Sequence, residues 1–96
     1  MKLELNINIR FYPTFVELER NNMMFTIEAA VPHKAILTTR ELKEKIGWKT
    51  TGSEVFEGED VDIFDMAYRT AVKRLVTNDD TLKSRVVEHL LSCEDK

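Results

Sequence analysis

The stretch that decides the fold is LELNINIRF, residues 3–11, in which apolar and polar residues alternate without a break. Alternation with a period of two is typical of a β-strand that buries one face. Tyr12-Pro13 ends the pattern, because proline fixes φ and lacks the backbone N–H that a strand needs. The sequence therefore predicts an amphipathic strand at this point of the chain.

Two further strands follow at about residues 14–19 and 23–31, and the Asn21-Asn22 pair lies between them. Asparagine tolerates the positive φ angles that a tight hairpin turn requires. A two-residue turn places Val16 opposite Ile27, so the apolar residues of both strands lie on one face. A slip of one residue would send them to opposite faces, so the pattern specifies the register.

The first two strands are predicted to pair through a four-residue loop from Phe11 to Thr14. This loop places Ile9 opposite Val16 and keeps the apolar residues on the same face as in the second hairpin. A two-residue primed turn is disfavoured, because proline cannot adopt positive φ. The prediction for about residues 2–31 is a three-stranded antiparallel β-meander with one apolar face.

Three helices are predicted after the meander, at about residues 39–46, 60–76 and 80–93. Thr38 and Glu41 have the spacing of a capping box at the start of the first helix, and Gly47 suits its end. Residues 48–59 have the composition of a loop. The predicted fold class is α+β, with the three helices packed on one face of the meander.

The predicted second helix has apolar residues at helical spacing, from Val61 through Phe64 to Leu75. Asp60 is expected to cap it, and acidic residues near its beginning complement the positive end of the helix dipole. This part of the acidity therefore has a structural explanation. It does not account for the glutamates that precede Asp60.

Length and composition predict one domain over residues 1–96 and a cytoplasmic location. A chain of 96 residues is long enough for one domain and too short for two. Cys93 is the single cysteine, so no internal disulfide is expected. No stretch of sequence approaches the apolar length of a membrane span.

Negative charge is concentrated in one segment. The chain has a formal net charge of −3, but residues 50–68 contain six acids and neither lysine nor arginine. A segment of this kind suits a basic protein surface. The predicted partner-binding residues are Glu54, Glu57, Glu59, Asp60, Asp62 and Trp48. Trp48 has an alternative interpretation, which is that it folds back into the core.

Catalytic, metal-binding and cofactor-binding motifs are not found in the sequence. None of the serines lies in a nucleophile elbow, and three glycines cannot form a phosphate-binding loop. His89 and Cys93 are four residues apart on a predicted helix, but two ligands do not make a metal site. We therefore expect no enzyme activity and no cofactor, with the His89–Cys93 pair facing the core.

The leading hypothesis is a non-enzymatic protein-binding module, of the accessory or inhibitor kind that phages and other mobile elements encode, and thus a viral protein. The alternative is a nucleic-acid-binding protein that uses a basic face of the last two helices, formed by Arg69, Lys73, Arg74, Lys83 and Arg85. A third hypothesis is a small enzyme with a site shared between subunits. A homodimer can form if the first strand lies at a sheet edge and pairs with a copy.

Overall fold

The computed structural model describes residues 7–31, 33–77 and 80–94. It contains five strands followed by two helices. Their bounds are β1 Asn8–Phe11, β2 Phe15–Arg20, β3 Met23–Ala30, β4 Lys34–Lys43, β5 Gly47–Glu57, α1 Asp60–Arg74 and α2 Lys83–Glu94.

The strands form one antiparallel sheet in the order β1-β2-β3-β4-β5, so every strand pairs with its neighbour in sequence. Helix α1 packs across β3, β4 and β5, while α2 packs across β2 and β3. The helices cover one face of the sheet, here called the inner face. The opposite face is called the outer face. The predicted class α+β is confirmed, but the prediction of three strands and three helices is wrong.

The β2–β3 hairpin has the register that the sequence predicts. Val16 lies opposite Ile27, and Arg20 lies opposite Met23. Asn21 and Asn22 form the turn with φ angles of 52° and 65°. These left-handed values match the twist of the flanking strands, which explains the pair of asparagines.

The β1–β2 register differs from the predicted one by two residues. Ile9 lies opposite Leu18, and Val16 lies opposite Phe11 instead of Ile9. The turn is tighter than predicted, because the Tyr12 N–H donates to the Phe15 carbonyl at 2.9 Å. A shift of two residues preserves the alternation, so the apolar residues keep their predicted face. The predicted beginning of this strand, residues 2–6, lies outside the described residues.

The predicted helix at 39–46 is wrong, because these residues form the end of β4 and a tight turn. The supposed capping residues Thr38 and Glu41 instead lie opposite Ser53 and Lys49 of β5. Helix propensities of ordinary residues differ by at most about 0.7 kcal/mol per residue. As a strand, β4 forms backbone hydrogen bonds on both sides and buries Leu37, which outweighs that preference.

Residues 48–59, predicted to be a loop, are mostly β5. Among the described residues, this strand pairs with β4 alone and forms an edge of the sheet. Its register shifts between Thr39 and Arg40, so Thr51 is an extra residue of the type that makes a β-bulge. Few of its residues are apolar, so the alternation that identified the other strands is weak here.

Both remaining helices occur, with modest corrections. Helix α1 begins after Glu59, which occupies the N-cap position without a side-chain hydrogen bond, so Asp60 is not the cap. Val61 is exposed, and Ile63 takes its place among the buried residues of α1. The Arg20 guanidinium donates to the carbonyls of Leu75 and Val76, at the end of α1.

The core lies between the inner face of the sheet and the two helices. Its buried residues come from strands and helices alike: Ile7, Val16, Leu18, Phe25, Ile27, Ala35, Leu37, Ile63, Phe64, Ala67, Tyr68, Ala71, Val72, Leu75, Val86 and Leu90. The last strand contributes only the partly buried Phe56. The sheet is therefore well covered over its middle and sparsely covered at the β5 edge.

Candidate functional site

The acidic segment, residues 54–65, does not form a single patch. Glu54 lies on the inner face of β5, where its carboxylate pairs with the Arg74 guanidinium of α1. This pair ties the edge strand to the helix layer. The negative charge of Glu54 is therefore largely balanced within the molecule.

Three of the predicted site residues lie together where β5 meets α1, and this group, Glu57, Glu59 and Asp60, is called the acidic corner. Glu57 lies 3.6 Å from the Lys34 ammonium, and Asp60 lies 3.0 Å from the His33 Nδ1 atom. Glu59 is exposed. A cleft of 590 Å³ lies at the acidic corner and is lined by His33, Glu57, Gly58 and Glu59.

A second depression, called the helix groove, lies between α1 and α2. It measures 390 Å³ and is lined by Val61, Asp62, Asp65, Lys83, Ser84, Val87, Glu88 and Leu91. Most of its exposed surface is apolar, and its lining also includes three carboxylates and one ammonium group. The groove therefore combines an apolar lining with negative charge.

Asp65 lies at the base of the helix groove and is held by two cations. Its Oδ2 atom lies 3.1 Å from the Arg69 Nε, and its Oδ1 atom lies 3.4 Å from the Lys83 Nζ. The Oδ1 contact is an ion pair without hydrogen-bond geometry. Among the described residues, neither Asp62 nor Glu88 forms an ion pair, so these two acids supply the unbalanced charge of the groove.

Trp48 lies at the opposite end of β5 from the acidic corner. Glu57 lies nine positions further along the chain, which corresponds to about 30 Å at the usual rise of about 3.3 Å per residue. Trp48 lies opposite Leu42, on the outer face, and is not part of the core. The structure therefore separates Trp48 from the acids with which it was predicted to act.

Trp48 instead belongs to a second exposed surface, the hairpin tip, formed by Leu42, Ile46 and Trp48 with Lys45 and Lys49. The three apolar side chains are 44%, 69% and 37% exposed. The tip extends beyond β3, whose pairing with β4 begins at Met23 and Glu41. Leu42 and Ile46 were not predicted as surface residues, because they belong to the segment 39–46 that was expected to pack as a helix.

The basic residues of the alternative hypothesis do not form a continuous face. Arg69 and Lys83 flank Asp65, and Arg74 pairs with Glu54. The Arg85 guanidinium lies 5.3 Å above the Phe11 ring, on the other side of α2. Lys73 is exposed without an ion pair in the described part of the chain. These positions give little support to a phosphate-binding surface.

The outer face beside β1 carries a cluster of one guanidinium and two carboxylates. Arg10 donates to Glu17 at 2.6 Å and to Glu19 at 3.0 Å. The hydrogen bonds to Glu19 and Glu17 raise the pKa of Arg10 above its usual value. Each carboxylate of this cluster contacts the Arg10 guanidinium, so neither is unpaired.

His89 and Cys93 both contact the β1–β2 turn. The His89 Nε2 atom lies 2.6 Å from the Tyr12 carbonyl oxygen, and the Cys93 thiol donates to the Pro13 carbonyl at 3.2 Å. The pair therefore docks α2 onto the first hairpin. Over residues 7–31, 33–77 and 80–94, no three His, Cys, Asp or Glu side chains are grouped as metal ligands.

Neither helix in the described ranges is long and apolar enough to cross a membrane. Comparison of the chain with protein-family models, with curated proteins and with solved structures finds no match. The surfaces of this chain that can bind a partner are the acidic corner, the helix groove and the hairpin tip.

Proposed function

We propose that this chain is a non-enzymatic protein-binding module that holds a basic segment of its partner in the helix groove and against the acidic corner. The observation that carries the proposal is the combination of apolar walls and unbalanced carboxylates in one groove. Val61 and Leu91 supply apolar contact, and Asp62 and Glu88 supply negative charge. An accessory or inhibitor role is consistent with this mode of binding.

The two components of the groove would contribute differently to binding. Burial of apolar surface contributes about 25 cal/mol per Å² and is the main source of affinity. Carboxylates at the rim accelerate association with basic partners and discriminate against acidic ones. A partner segment that alternates lysine or arginine with large apolar residues satisfies both components.

The acidic corner extends this surface but is expected to contribute less. Glu57 and Asp60 already contact Lys34 and His33, and a partner would compete with those groups. Glu59 has no ion pair among the described residues and is exposed. We therefore place the centre of the binding surface at Asp62 and Glu88, with Glu59 at its margin.

The test is affinity capture from lysate of the source, with and without nuclease, using the original protein and the double variant Asp62→Asn/Glu88→Gln. The matched control is Glu28→Gln/Glu44→Gln, which removes the same charge from two exposed sites outside the groove. A partner identified by mass spectrometry is then titrated against all three proteins. We expect the groove variant to bind at least about tenfold more weakly and the control to bind normally.

Two results would contradict the proposal. Equal binding by the groove variant would show that the helix groove is not the contact surface. Recovery that disappears with nuclease would favour the nucleic-acid alternative.

A further inference from the structure

We propose that the hairpin tip of one copy of this chain binds in the helix groove of a second copy, giving head-to-tail self-association. This inference rests on the proposed function, because it assigns a specific occupant to the same groove. It also gives a role to the hairpin tip, which the proposed function leaves unused.

The tip has the chemistry that the groove selects. Ile46 and Trp48 are large apolar side chains at the end of a projecting hairpin, and both are exposed. Lys45 and Lys49 flank them and form no ion pair among the described residues. Aromatic side chains are enriched at the centres of protein interfaces, where they fill apolar depressions.

Charge complementarity supports this pairing over a tip-to-tip contact. Residues 40–49 contain four basic and two acidic residues, so the tip region is net positive. The helix groove is lined by three carboxylates and one ammonium group. Two tips brought together would repel, whereas a tip brought to a groove gains Coulomb attraction along its approach.

A tip cannot reach the groove of its own chain. The β4–β5 hairpin projects from one end of the sheet, while α1 begins directly after the other end of β5. The two surfaces are thus separated by about the length of β5, about 30 Å. The contact must therefore form between copies, with the tip of one copy against the groove of another.

This contact can take two forms. Two copies that exchange tips form a closed two-fold dimer, whereas a contact in one direction leaves one unoccupied tip and one unoccupied groove, to which further copies can add. Self-association also occludes the groove. The concentration of free chain would then regulate how much groove is available to another partner.

The experiment is sedimentation velocity of the complete chain from about 10 μM to about 1 mM, a range that covers weak association. We expect the weight-average sedimentation coefficient to rise with concentration. The rise should shrink in about 0.5 M NaCl, because salt screens charges beyond a few ångström.

Two surface variants make the test specific. The tip variant is Ile46→Ser/Trp48→Ser, and the groove variant is Asp62→Lys/Glu88→Lys. Each variant alone should associate at least about tenfold more weakly than the original protein. An equimolar mixture should form a heterodimer, because the tip variant retains its groove and the groove variant retains its tip. Circular dichroism checks that both variants fold.

A matched control is Val55→Ser, which changes a side chain that is 55% exposed on the outer face of β5 and away from the tip. This variant should associate like the original protein. A chain that stays monomeric over the whole concentration range would overturn the inference, and so would a mixture of the two variants that forms no heterodimer. Either result would leave the capture of another partner by the groove to be decided by its own experiment.

Discussion

The β2–β3 and β4–β5 hairpins belong to one sheet and have opposite characters. In the β2–β3 hairpin, Leu18 and Phe25 are completely buried beneath the helices. In the β4–β5 hairpin, the residues near the turn extend beyond the sheet, and Leu42 and Ile46 are exposed. Apolar residues therefore have two different roles in the two hairpins. One hairpin uses them for stability, and the other presents them on its surface.

The largest expected difference between the hairpins comes from the same substitution at two leucines. Leu18→Ala removes a fully buried side chain and should lower the free energy of unfolding by about 3–5 kcal/mol. Leu42→Ala, at a position 44% exposed, should cost about 1 kcal/mol. Urea denaturation of both variants measures the contrast. If both variants lost the same free energy of unfolding, Leu42 at the hairpin tip would belong to the core.

A second contrast concerns two arginines on opposite faces of the sheet. Arg20→Met should cost about 1.5 kcal/mol, because it removes charge-assisted hydrogen bonds to the carbonyls that end α1. Arg40→Met, in β4, should change the free energy of unfolding by less than about 0.5 kcal/mol. The side chain of Arg40 forms no hydrogen bond or ion pair among the described residues. Urea denaturation measures both changes. If Arg40→Met lowered the free energy of unfolding more than Arg20→Met does, the stabilising role given to Arg20 would be wrong.

The smallest effect is expected at the turn of the β4–β5 hairpin. Gly47 has a φ of 85°, and a Cβ added there would have no atom within 4 Å, so Gly47→Ala meets backbone strain without a clash. The cost should be about 1 kcal/mol. Gly52→Ala is the control, because its Cβ would lie 3.9 Å from Thr39 at an ordinary strand φ. The shift in thermal unfolding temperature should be measurable at Gly47 and negligible at Gly52.

The same contrast explains how much of the fold the sequence predicts. The β2–β3 register follows from alternation in two strands that both bury one face, so the pairing of Val16 with Ile27 could be deduced. The predicted β1–β2 register was wrong by two residues. A shift of two leaves every residue on the same face of the sheet, so the alternation could not exclude it. Alternation therefore determines which face of the sheet a residue lies on, but it does not determine the length of the turn between two strands.

The β4–β5 hairpin could not be deduced in this way. Residues 39–46 contain Glu, Lys and Leu, which favour helices locally, and β5 contains few apolar residues to mark its inner face. The pairing of β4 with β3 overrides the local preference, and that information is not local in the sequence. The β-branched residues Thr50, Thr51 and Val55 were the one available signal for a strand at this position.

The candidate site was predicted only in part. The acidic segment identified Asp62 and the acidic corner, but it also included Glu54, which the structure pairs with Arg74. Glu88 and Leu91 were missed, because only the packing of α2 beside α1 brings them to Asp62. Trp48 was identified as a contact residue, but without the two apolar neighbours that make it part of a surface.

The order of the elements along the chain has a consequence for folding. Every strand pairs with the strand before it, so the sheet contains mainly contacts of short sequence separation, which favour rapid formation. The helices that cover its inner face come later, and His89 reaches back across 77 residues to the Tyr12 carbonyl. During synthesis the growing sheet would hold Val16, Leu18 and Phe25 uncovered until α2 emerges from the ribosome. That interval is when the exposed apolar face makes the chain most prone to aggregation.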